Sequence, residues 1–156
     1  MIQINIPGSE GITARFLVCD YNGTLATDGT LMPGVYDLLK SIEKEIEIHI
    51  ITADTFGKAA DNLRGIDCHL TIIKNGDEQH QKAELVEDLG EKSVIAIGNG
   101  LNDSLLLKNA ALGIIVIQQE GAAISALLNS DIVCTNILDA LNLVKKPLRI
   151  TASLRK

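Results

Sequence analysis

The sequence predicts an α/β fold: a three-layer, Rossmann-like domain on a mainly parallel sheet. Three observations carry this. Short apolar runs alternate with segments of helical spacing along almost the whole chain, as strand–helix–strand units do. The run Arg15 to Cys19 is near-continuous rather than alternating, the mark of a strand covered on both faces. Several runs end on a polar residue, Asp20, Thr52 and Asn99, and in parallel sheets ligands bind beyond the carboxyl ends of the strands.

Taken in order, Gln3 to Ile6 alternates and predicts an edge strand stopped by Pro7, with a turn over Gly8 to Gly11. Arg15 to Cys19 is the first buried strand. Thr24 to Pro33 reads as a loop or small hairpin turning at Asp28-Gly29. Val35, Leu38, Leu39 and Ile42 line one side of a helix over Gly34 to Lys44, and Pro33 suits its start. Ile46 to Ile51 is a strand, Phe56 to Leu63 a short helix, Leu70 to Ile73 a strand and Gly76 to Gln79 a polar turn. Lys82 to Leu89 is helical and closed by Gly90. Then come strand Val94 to Ile97, helix Asp103 to Asn109, strand Ile114 to Ile117, helix Ala122 to Leu128, strand Ile132 to Cys134 and helix Ile137 to Val144. Lys145 to Lys156 is a short basic tail.

At 156 residues the chain reads as one domain, 1–156, with 46% apolar and 22% charged residues, a composition that folds. Aromatics are 3%, so the core is built from Ile, Leu, Val and Ala. The net charge is −6 and positive charge is not concentrated, which argues against nucleic-acid binding. Cys19, Cys68 and Cys134 lack zinc spacing and are odd in number, so reduced thiols are expected, with Cys19 and Cys134 in the core. Met1 to Pro7 has no signal-peptide character and no apolar run reaches membrane length, which predicts a cytoplasmic protein with no membrane partner.

Each polar strand end has an ordinary reading. Asp20 can cap a turn, Thr52 a backbone group, Asp54 the following helix, and Lys82 can be a solvated helix residue. Their order changes the weight. Asp20-Tyr21-Asn22-Gly23-Thr24-Leu25, then Thr52, Lys82 and Gly98-Asn99-Gly100-Leu101-Asn102-Asp103, resemble the four motifs of the haloacid dehalogenase-like phosphohydrolases from about Phe16 to Val133. Within that superfamily the chain looks most like the small soluble proteins related to the phosphorylation domain of P-type ATPases, through Ile51-Thr52-Ala53-Asp54-Thr55, Gly98 to Asp103 and Gly121-Ala122-Ala123.

The resemblance implies a Mg²⁺-dependent phosphohydrolase. Asp20, Thr52 and Lys82 would be catalytic, with Asp20 the nucleophile that becomes an aspartyl-phosphate. Asn22, Gly23, Thr24, Thr52, Ala53, Lys82 and Asn102 would hold phosphate, and Asp20, Asn22, Asn99 and Asp103 the metal. Two amides depart from the pattern. Asn22 stands where most relatives have the acid that protonates the leaving group and activates water; an amide does neither. Asn99 replaces a charged metal ligand by a neutral one, which predicts weaker Mg²⁺ binding. The expected substrate is therefore a small phosphorylated molecule, or a phosphoprotein, with a good leaving group. The alternative is a weakened protein that only binds phosphate. No large cap is expected, only a short flap over 24–33, with Ala26 to Met32 as a flap or a contact in a homo-oligomer.

Overall fold

The computed structural model describes residues 1–74 and 76–156. Six strands form one sheet: β3 (Phe16–Asp20), β6 (Glu47–Thr52), β7 (Cys68–Ile72), β8 (Val94–Gly98), β9 (Leu112–Val116) and β10 (Ile132–Cys134). The order is β10-β9-β8-β3-β6-β7 and every pairing is parallel. From β3 the chain first builds outward through β6 and β7, then crosses back to add β8 on the other side. Beside β3 the direction of winding reverses, and such a reversal opens a crevice at the strands' carboxyl ends.

Period-two alternation within the strands feeds two cores. Leu17, Cys19, Ile48, Ile50, Ile95, Ile97, Ile114 and Val116 face one side. There they meet α1 (Val35–Ile42), the short α2 (Ala59–Asn62), α6 (Ile137–Lys145) and Ile150 of α7 (Pro147–Leu154). Val18, Ile51, Val94, Ala96 and Ile115 face the other side, under α3 (Glu78–Leu89), α4 (Ser104–Asn109) and α5 (Ile124–Leu128). Apolar side chains on both faces of β3 are what the near-continuous run Arg15 to Cys19 requires. The three-layer α/β architecture is as the sequence predicts.

The differences are local. The amino-terminal strand is β1 (Ile2–Ile4), and it pairs antiparallel with β2 (Ile12–Ala14) in a separate small sheet, not with the main one. Its Ile2 and Ile4 are buried in the first core, and Thr151 Oγ1 of α7 donates to Asn5 O at 2.8 Å. The basic tail is thus a helix, begun by Pro147 and held by one buried side chain, Ile150, too little apolar signal to read from sequence. Helix α2 starts at Ala59 rather than Phe56, because the Asp54 carboxylate accepts from the N–H groups of Lys58 (3.1 Å) and Ala59 (3.2 Å) and fixes the first turn there. Helix α3 begins at Glu78, four residues before Lys82; its first turn, Glu78 to Gln81, is entirely polar, which reads as a loop. His49 is buried within the sheet.

Thr24 to Pro33 contains the expected hairpin, β4 (Ala26–Thr27) paired with β5 (Thr30–Leu31). It is tied down at its turn from two sides. Asn62 Nδ2 donates to Tyr21 Oη at 2.7 Å and to Gly29 O at 2.9 Å, and Asp28 N donates to Glu120 Oε1 at 2.9 Å. Leu25 and Ala26 at its base are buried. Among the described residues no helix is long and apolar enough to cross a membrane.

Candidate active site

Asp20 is the last residue of β3, at the crevice where the sheet reverses direction. The next four residues fold tightly back. The N–H groups of Thr24, Leu25 and Ala26 all donate to Tyr21 O, and that of Gly23 to Ala26 O. Gly23 makes this possible: its φ is +79°, and a Cβ there would lie 2.5 Å from Asn99 Nδ2. The turn brings Thr24 Oγ1 to 3.0 Å from Asp20 Oδ2 and 3.2 Å from Asn99 Oδ1. The hydroxyl has one hydrogen and can donate to only one of them at a time.

Lys82 is carried in from α3. Its side chain is 1% exposed, and Nζ donates to Asp20 Oδ1 and to Asp103 Oδ1, both at 2.7 Å. The other Asp103 oxygen accepts from the N–H groups of Asn99 (2.9 Å) and Gly100 (2.8 Å). Gly98 leaves room for this carboxylate, since a Cβ there would lie 2.6 Å from Asp103 Cγ. Asp103 therefore anchors Lys82 and the loop after β8 with both oxygens, so its part at a metal would be indirect. Thr52 ends the neighbouring strand, one residue past Ile51, the register partner of Asp20. Its oxygen accepts from Asp54 N at 3.0 Å, which leaves its hydrogen to give.

Two carboxylates around one ammonium carry a surplus negative charge in a buried place. Burial, reinforced by Asp103, pushes the Asp20 carboxyl up to about 6, while Lys82 and Thr24 pull the other way. For Lys82, burial opposes the charge, but Asp20 and Asp103 outweigh it and hold the ammonium above its ordinary range. Lys82 is thus a fixed cation, with one N–H beyond the two already spent. Cys19, beside Asp20, is kept as a thiol by burial.

Asp20, Thr24, Lys82, Asn99 and Asp103 are therefore brought into one hydrogen-bonded cluster, with Thr52 on the adjoining strand end. Other expected positions take different parts. The Gly23 and Thr24 amides are spent inside their own turn, which leaves neither free for the phosphate contact the sequence suggested. Asn102 Nδ2 donates to Glu78 Oε2 at 2.7 Å and ties the loop after β8 to the start of α3. Ala53 is half-buried next to Thr52. One positioning residue escaped the sequence reading. Gln118 Nε2 donates to Gly23 O (3.1 Å) and Thr24 O (3.0 Å), and its Oε1 accepts from Ile137 N (2.6 Å). A polar residue just past the end of β9 obeys the same strand-end rule as Asp20, and that was the available signal.

A hard divalent cation fits the donors present. Asp20 and the Asn99 side chain offer oxygen, and Asn22 Oδ1 is buried with no hydrogen-bond partner among the described residues. A buried acceptor without a donor is costly, and a bound cation would satisfy it.

No family model matches this chain. Two proteins of Methanocaldococcus jannaschii do. Uncharacterized protein MJ0073 is 49% identical over 86 residues, spanning 53% of this chain and 92% of that one. Uncharacterized protein MJ0072 is 44% identical over 39 residues, spanning 25% of this chain and 89% of that one. The chain belongs to their family. Among solved structures, the 3-deoxy-D-manno-octulosonate 8-phosphate phosphatase of Moraxella catarrhalis, in complex with magnesium, phosphate and KDO, superposes with a TM-score of 0.62 at 20% identity, covering 90% of each chain. The cobalt-bound deoxy-D-mannose-octulosonate 8-phosphate phosphatase of Haemophilus influenzae gives 0.67 at 12% identity, covering 92% of this chain and 94% of that one. This chain thus carries the haloacid dehalogenase-like fold. The nearer likeness to the P-type ATPase-like subgroup rests on the sequence motifs.

Proposed function

We propose that the protein is a Mg²⁺-dependent phosphohydrolase that works through Asp20 on a small phosphorylated molecule with a good leaving group. The observation that carries this is the buried cluster in which Lys82 and Thr24 orient the Asp20 carboxylate at the crevice of the sheet. In this reading an Asp20 oxygen attacks phosphorus, and the bond from phosphorus to the leaving oxygen breaks with its electron pair on that oxygen. The remaining N–H of Lys82 and the hydroxyl of Thr52 hold the other phosphoryl oxygens as charge builds on them. Water then attacks the aspartyl-phosphate, releasing phosphate and restoring Asp20. Asp20, Asn22 and Asn99 would hold Mg²⁺, whose charge offsets repulsion between carboxylate and phosphate when it is bound.

Asn22 sets the substrate class. With no acid there, the leaving oxygen departs unprotonated, which suits acyl phosphates, phosphoanhydrides and aryl phosphates. An 8-phosphate on a sugar acid, the substrate in the names of the similar structures, is an alkyl ester and a poor match. The missing base also slows the second step, by a factor of about 10² to 10⁴. Aspartyl-phosphate should therefore accumulate during turnover, and rapid acid quenching should trap phosphorylated wild type and none on Asp20→Asn.

The deciding assay is hydrolysis of acetyl phosphate and para-nitrophenyl phosphate with and without Mg²⁺, in wild type and Asp20→Asn. Turnover that needs both Mg²⁺ and Asp20 is expected. Equal rates in the two proteins would sink the reading and favour a phosphate-binding role, for which the two amides, Asn22 and Asn99, are the specific support.

A further inference from the structure

At the other end of the sheet, three metal-ligating side chains that the Asp20 site does not use converge. Glu47 and His49 sit two apart on β6 and so share a face, and His69 on β7 is the register partner of His49. The two imidazoles stack, with centroids 4.8 Å apart and planes at 25°. His49 Nε2 lies 2.8 Å, and His69 Nε2 3.3 Å, from the same atom, Glu47 Oε1. One donor atom from each residue falls within 4.8 Å of the other two. Phe16 packs edge-on against His49, centroids 5.7 Å apart, and holds that ring from behind.

We propose that Glu47, His49 and His69 bind one borderline divalent cation of the Zn²⁺ class, at a site separate from the oxygen site at Asp20. Two imidazoles and one carboxylate are the donors such ions prefer, whereas Mg²⁺ takes oxygen alone. With metal–ligand bonds of about 2.0–2.2 Å, ligand atoms around a tetrahedral ion lie about 3.3–3.6 Å apart. Two of the three separations here, 2.8 and 3.3 Å, are already near that value. Two neutral imidazoles can each free the Nε2 lone pair by carrying their hydrogen on Nδ1. Adjacent hydrogen-bonded strands fix the positions in advance, so little ordering is left for the ion to impose.

Exposure is graded as an accessible site needs. The His49 side chain is 10% exposed, that of Glu47 49% and that of His69 66%. Glu47 and His69 open onto a surface cleft of about 480 Å³ that Asp67 also lines, together with Arg15. Water, or the Asp67 carboxylate two residues before His69, would complete the coordination from that side. Along β6 these ligands precede Thr52 by three to five residues, about 10–17 Å at the usual rise per residue, too far to share an ion with Asp20. Bound there, the ion would cross-link edge strand β7 to β6.

Calorimetric titration of Zn²⁺ in excess Mg²⁺ tests this on wild type, Asp20→Asn, His69→Ala and Glu47→Gln. One equivalent should bind to wild type and to Asp20→Asn, at least about tenfold more weakly to the other two variants. Zn²⁺ should raise the Tm of wild type more than that of His69→Ala at the same concentration. No uptake by wild type, or undiminished uptake by His69→Ala, overturns the site and leaves a hydrogen-bonded His–Glu cluster. Neither result depends on whether Asp20 hydrolyses anything.

Discussion

The two ends of the parallel sheet hold their charges in opposite ways. At the carboxyl end Lys82 is enclosed between Asp20 and Asp103, with side-chain exposures of 1%, 8% and 0%. At the amino end His69 and Glu47 are open to water and only His49 is buried. A buried charge persists only with its counter-charges in place, whereas an exposed one can lose its partner and be solvated instead. The first cluster should therefore respond to substitution as a unit, and the second residue by residue.

The hardest break is Lys82→Ala. It leaves two carboxylates buried without a cation and should cost about 3–5 kcal/mol in denaturant unfolding. Asp20→Asn should cost clearly less, because Lys82 keeps Asp103; a loss as large as that of Lys82→Ala would show that the three do not share charge as described. Gly23→Ala should cost about 1–3 kcal/mol, since it forces an L-residue to φ +79° and into the Asn99 amide. Chemical denaturation reads this directly, and an unchanged midpoint would contradict the tight turn.

Two further substitutions sharpen the contrast. Asn99→Asp restores a charged donor and should tighten Mg²⁺ by about tenfold in titration calorimetry. Without Mg²⁺ the same change sets another carboxylate near Thr24 and should lower the Tm. Unaltered Mg²⁺ affinity would remove Asn99 from the ligands. The smallest effect belongs to His69→Ala, which in metal-free protein should stay within about 0.5 kcal/mol of wild type. A larger loss would mean that the histidine stack itself holds β7 in place.

The same contrast explains what the sequence made legible. Asp20, Thr52 and Asn99 stood out because a polar residue ending a buried strand interrupts a clear pattern, and Gln118 could have been found by that rule. Lys82 was legible only through motif order; nothing in the polar run Glu78 to Gln81 shows that the next side chain turns inward. The pairing of His49 with His69 was illegible, because they are twenty positions apart and meet only through the register of β6 and β7. Helix α7 and strand β2 were missed for a simpler reason. Each is short and contributes few buried side chains, so its periodicity is too weak to see.

The hairpin of β4 and β5 bears on how the site would be reached. Asn62 and Tyr21 grip it at Gly29, and Glu120 holds its turn at Asp28. Tyr21 directly follows Asp20, so the residue that fastens the hairpin is covalently joined to the one proposed to react. The hairpin is a doorframe rather than a door. A rim held in this way would select molecules by size on entry, and their release would not wait on a moving lid. Turnover at such a site should be indifferent to solvent viscosity, since the slow event is a bond change and not a movement of the chain.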